Sequence, residues 1–109
     1  MAYDENLAKR IRKILADQPG RTEKKIFGGL SFMLQGNMAC GIHNNDIIVR
    51  IDPGQHDAAT AKPYVRTFDY TGRPMKGWIT VGPNALASDE DLQEWILKGV
   101  HYALSLPPK

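Results

Sequence analysis

The first apolar residues of the chain recur as Leu7, Ile11, Ile14 and Leu15, a spacing that places them on one side of a helix. Lys9, Arg12 and Lys13 fall away from that stripe. The pattern predicts a helix from about Asp4 to Asp17, ended by Pro19-Gly20, because proline cannot continue a helix and glycine suits the turn after it. The period then changes to two. Glu23–Gly28 leads into a glycine pair, and Leu30–Gln35 sets Leu30, Phe32 and Leu34 against Ser31, Met33 and Gln35. Met38–His43 sets Met38, Cys40 and Ile42 against Ala39, Gly41 and His43, and Asp46–Asp52 sets Ile47, Val49 and Ile51 against Ile48, Arg50 and Asp52. Gly36-Asn37 and Asn44-Asn45 are turn dipeptides between these runs. Connections this short make neighbouring strands antiparallel, a meander.

Pro53-Gly54 ends the meander. The alanine-rich Gln55–Lys62 reads as a short helix before Pro63, Val65–Tyr70 is compatible with an extended connection, and Thr71–Gly77 is turn chemistry throughout. Trp78–Gly82 is the last strand, with Ile79 and Val81 opposite Trp78 and Thr80. Ser88 followed by Asp89, Glu90 and Asp91 offers a capping hydroxyl and then carboxylates where the helix dipole favours them. Leu92, Trp95, Ile96, Val100, Ala103 and Leu104 continue that helix as a wide apolar stripe until Pro107-Pro108 stops it. Clustered strands between terminal helices predict one α+β domain over residues 1–109: an antiparallel sheet of about five strands with the N- and C-terminal helices packed on one face.

The 42% hydrophobic and 24% charged composition is that of a globular domain, and 109 residues suffice for a core without staples. A net charge of +2 is too small to imply nucleic-acid or membrane binding, although its distribution is uneven. Residues 1–25 carry a net +3 and residues 85–109 a net −2, which reads first as two solvated helix faces of opposite bias. Cys40 is the only cysteine, so no intramolecular disulfide forms, and a reducing, cytoplasmic location is expected. The acidic N-terminus does not resemble a signal peptide, and no run approaches the roughly 20 apolar residues that span a bilayer.

Catalytic signals are missing. His43, His56 and His101 form no metal-binding spacing, so no metal, cofactor or catalytic residue is expected, and the chain reads as no enzyme. Cys40 alternates with apolar residues and reads as a core group rather than a nucleophile. Gly28-Gly29 invites comparison with phosphate-binding loops, but the glycines lead into a strand where such loops open a helix. The stretch Arg73-Pro74-Met75-Lys76-Gly77-Trp78 joins two cations, a rigid proline, a thioether and an indole in one loop. Loops of this kind carry recognition, so Arg73, Met75, Lys76 and Trp78 are candidate partner-binding residues. The competing reading, a loop pinned to the core by Trp78, is preferred. A small-molecule site near Arg73 and Lys76 is a weaker alternative. The basic first helix raises a nucleic-acid accessory role, but only Tyr3 supplies an aromatic near its charges, so direct nucleic-acid binding is not expected.

Phe27-Gly28-Gly29, Phe32, Gly36, Met38, the Ile48-Val49-Arg50 strand end, Trp78 and Trp95 fall in an order that resembles the N-terminal domain of the TfoX/Sxy competence-regulator family. Ile26 stands where that pattern usually has methionine, and Ala39 where an aromatic is common. The resemblance implies an α+β, secretion-chaperone-like fold and a non-catalytic domain that regulates by binding another protein, such as a transcription regulator, as a homodimer. Full-length relatives carry a second, helical domain, and this chain is expected to be a stand-alone N-terminal-type domain ending at Lys109. Phe27, Gly28, Gly29 and Phe32 are then its structural signature.

Overall fold

Asp4 accepts hydrogen bonds from the backbone N–H groups of Asn6 (2.9 Å) and Leu7 (3.2 Å) and so caps α1 (Glu5–Ile14). The computed structural model describes residues 3–26, 29–68 and 76–107. Within it α1 buries Leu7, Ala8 and Ile11, and Leu15 enters the core just past the helix end. The helix stops at Ile14 rather than running to Asp17, and Gly20 turns the chain with φ +71.

Among the described residues six strands follow, ordered β1-β2-β3-β4-β6-β5 with every neighbouring pair antiparallel. They are β1 (Arg21–Ile26), β2 (Gly29–Leu34), β3 (Asn37–His43), β4 (Asp46–Arg50), β5 (Val65–Thr67) and β6 (Trp78–Val81). The sequence pattern predicts about five. The additional strand is β5, part of the stretch read as an extended connection. It pairs with β6 from Val65↔Val81 to Thr67↔Ile79 and forms the sheet edge. The connection from β4 through α2 (His56–Thr60) carries the chain out to that edge, and β6 then returns between β5 and β4. The closing helix α3 (Asp89–Ser105) is capped by Ser88, whose hydroxyl accepts from the Asp91 N–H at 3.1 Å. Helices α1, α2 and α3 contribute to one core, through Leu7, Ala8 and Ile11, through Ala59, and through Leu92, Trp95, Ile96, Val100 and Ala103. These side chains meet Leu30, Phe32, Leu34, Ile47, Val49, Ile79 and Val81 from the sheet.

Two details depart from the strict alternation. Gln35 (φ 53) and Gly36 (φ 86) are the two left-handed residues of the β2–β3 turn, so the turn is Gln35-Gly36 and Asn37 already belongs to β3. The Asn37 amide donates to the Pro107 carbonyl at 2.9 Å. Further along, Phe32 lies opposite Cys40 but Met33 lies opposite Met38, which leaves Ala39 as the extra residue of a β-bulge. Cys40 and Ile42 therefore face the helices, while Met38 joins Ile48, Phe68, Met33 and Trp78 in a second apolar cluster. Met38 and Cys40 do not share a face, contrary to the sequence expectation.

The bulge receives α3. A Cβ on Gly99 would collide with the Ala39 carbonyl oxygen, so the helix backbone rests directly on the strand. Gly29, the second glycine of the signature pair, is equally constrained, because a Cβ there would collide with the Ile42 carbonyl oxygen. Gly99→Ala is expected to lower the urea midpoint. Overpacking costs roughly 1–3 kcal/mol and outweighs the ~1 kcal/mol that alanine gains over glycine inside a helix. The exposed Gln93→Ala on the same helix should leave the midpoint within error. A Gly99→Ala protein more stable than the parent would contradict this packing.

The charged residues of β1, exposed from Arg21 to Lys25, guard one sheet edge. Arg12 of α1 forks onto Glu23 with two contacts of 2.8 Å. The Arg12 hydrogen bond holds the Glu23 carboxyl below the usual carboxylate range. A lowered folded value means the pair stabilises above the ordinary carboxylate range and loses that contribution as pH falls through the Glu23 value. Because the pair is largely exposed, Glu23→Gln should cost under about 1 kcal/mol at neutral pH. The difference from the parent should vanish in acid, and equal stability loss at acid and neutral pH would contradict the assignment.

Candidate functional site

Arg50 is the last residue of β4 and lies directly opposite Trp78, the first of β6. Its guanidinium carbon is 5.1 Å from the centroid of the Trp78 ring and 5.3 Å from that of Tyr102 on α3. The cation thus links sheet and helix through two aromatic faces. All three residues are half-buried. Trp78 also packs against the cluster of Met38, Ile48 and Phe68, while residues 71–75 of the loop before it lie outside the described residues. Lys76 is exposed at the approach to this stack.

His56 fixes the foot of the same connection. It is buried, its Nδ1 accepts from the Gly77 backbone N–H at 2.9 Å, and its Nε2 lies 2.9 Å from Thr67 Oγ1. An acceptor at Nδ1 places the ring proton on Nε2, which donates to the Thr67 hydroxyl. The Ile51 N–H donates to the Gly77 carbonyl at 2.7 Å, so Gly77 is held from both sides. Of the candidate partner-binding residues, Trp78 stands in the Arg50–Tyr102 group and Lys76 is exposed two residues before it. Arg73 and Met75, the other candidate partner-binding residues, lie outside the described residues, as do Phe27 and Gly28 of the glycine signature. Gly29 opens β2, and Phe32 is buried in the main core.

The remaining candidates have structural places. Cys40 is fully buried beneath the helices, and burial pushes its thiol up to about 12. His43 is half-buried at the end of β3 opposite Asp46, and His101 is exposed on α3. Among the described residues no group of three or more His, Cys, Asp and Glu side chains is placed to hold a metal ion. The first-helix arginines are engaged within the chain. Arg10 donates to Asp89 (3.1 Å) and to the Leu86 carbonyl (2.9 Å), while Arg12 holds Glu23.

The signature glycine, the strand-final arginine and the late tryptophan thus occupy defined positions around one sheet. A profile of the TfoX N-terminal domain family matches residues 13–103, most of the chain. The chain belongs to the TfoX N-terminal domain family. No curated protein and no solved structure matches it. Within this TfoX N-terminal domain, Gly29 answers to backbone contact, Phe32 to the core, and Arg50 with Trp78 to the sheet–helix junction. Sequence reasoning missed the meeting of Arg50 with Tyr102 and the clamp made by His56. The first joins residues far apart in the chain, and the second uses a hydroxyl and a backbone N–H instead of the adjacent Asp57.

The Cys40 thiol stays protonated at neutral pH, since its folded value lies far above neutrality. A disulfide reagent added to the native TfoX N-terminal domain should release no thiolate until urea unfolds the chain. Rapid labelling of the native protein would contradict the burial.

Proposed function

We propose that this TfoX N-terminal domain is a non-catalytic regulatory module that binds another protein, works as a homodimer in the cytoplasm, and serves transcription regulation of the competence type. The observation that carries this is the family match across residues 13–103. The engagements of the polar groups support it: Arg10, Arg12 and Arg66 are bound to Asp89, Glu23 and Asp46, His56 serves the β5–β6 connection, and Cys40 is sealed. No helix among the described residues is long and apolar enough to cross a membrane. The surface at Lys76, Trp78 and Arg50 is the proposed contact. Nucleic acid is a poorer occupant, since phosphate binding needs several available cations in a row and the first helix has committed Arg10 and Arg12.

Affinity capture with the tagged full chain, read by mass spectrometry, should enrich a specific protein, and Lys76→Glu should diminish that enrichment. Sedimentation at micromolar concentration should show a dimer. No enriched protein in any growth condition would overturn the interaction assignment. Retardation of DNA at low salt that disappears at high salt would replace it with a nucleic-acid role.

A further inference from the structure

Four of the five described arginines have an oxygen to donate to: Arg10 has Asp89 and the Leu86 carbonyl, Arg12 has Glu23, Arg21 has the Ala16 carbonyl, and Arg66 has Asp46. Arg50 is the exception among the described residues, since its contacts are the rings of Trp78 and Tyr102. A guanidinium lying face-on to a ring keeps its in-plane N–H donors at the edges, and among the described residues no oxygen is hydrogen-bonded to the Arg50 guanidinium. The three residues stand on β4, β6 and α3, elements packed against one another, so the cation is held in place before any ligand arrives. A half-buried, oriented guanidinium with uncommitted donors matches a planar carboxylate, which accepts two parallel N–H bonds.

We propose that Arg50, clamped between Trp78 and Tyr102, reads a carboxylate side chain on an acidic segment of the partner protein. This rests on the interaction role assigned above and names the chemistry of the partner. Charge complementarity supports a peptide: Lys76 adds a second, exposed cation two residues before Trp78, and the indole and phenol edges offer apolar contact to the residue beside the acid. A nucleic-acid backbone would need a longer row of cations than Arg50 and Lys76 supply among the described residues.

The test uses the full chain labelled with 15N. Arg50 Nε–H and the Trp78 indole N–H are followed while a short blocked peptide alternating glutamate and leucine is added. A matched glutamine–leucine peptide and inorganic phosphate serve as separate arms. Expected are shifts of both signals with the glutamate peptide alone, with the Trp95 indole unmoved. Arg50→Lys should weaken binding about tenfold, since lysine keeps the charge but not the planar fork. Tyr102→Leu keeps the arginine but removes one of its two rings, and should weaken binding several-fold through lost orientation. Urea midpoints close to the parent's would show both variants folded. Equal responses to the glutamate and glutamine peptides, an equal response to phosphate, or unchanged binding by Arg50→Lys would overturn the proposal. If the captured partner is retained by Arg50→Lys, the proposal falls while the interaction role stands. If the glutamate peptide binds as expected but nothing is captured from cells, the interaction role falls instead.

Discussion

With no Cβ at Gly99, the backbone of α3 comes down onto the carbonyl of Ala39, and this contact sets the height at which the long helix rides over the sheet. The neighbours of Gly99 on the helix follow from that height. Ile96, Val100 and Ala103 reach into the layer formed by Val49, Ile47 and Ile79. Tyr102, one turn beyond Gly99, comes within 5.3 Å of Arg50. Interiors are close-packed, so a helix raised by one methyl group would lose dispersion contacts along its buried face.

The β-bulge at Ala39 serves both faces of the sheet. On the helix side it supplies the carbonyl on which Gly99 rests. On the other side it turns Met38 toward Met33, Ile48 and Trp78, where the second apolar cluster forms. Trp78 belongs to that cluster and to the Arg50 stack at once, so the small cluster holds the indole that in turn orients the guanidinium. His56 secures the same end of β6 through Gly77, making the junction a product of sheet, short helix and long helix together.

Much of this architecture is legible in the chain. The stripe of Leu7 and Ile11, the alternation through Ile47 and Val49, and the cap at Ser88 each express a local period or a local bond, and each stands where the pattern puts it. The faces of β3 are not legible, because a bulge leaves hydropathy unchanged while moving Met38 across the sheet. β5 is too short to announce itself and exists by pairing with β6. The glycine signature is visible as a pair, but the reason for Gly29 is a carbonyl contributed by Ile42 from the neighbouring strand. The same holds for the site. Trp78 and Lys76 stand out locally, whereas Arg50 becomes notable only once Tyr102 arrives from the far end of the chain.

In the free protein, the packing of α3 on the bulge is expected to hold Arg50 in a fixed orientation. Nuclear relaxation of the Arg50 Nε–H vector in the free protein measures this most directly, with the exposed Arg66 as internal comparison. An Arg50 order parameter close to that of the β4 backbone, and well above that of Arg66, is the predicted result. An Arg50 side chain as mobile as Arg66 would contradict it.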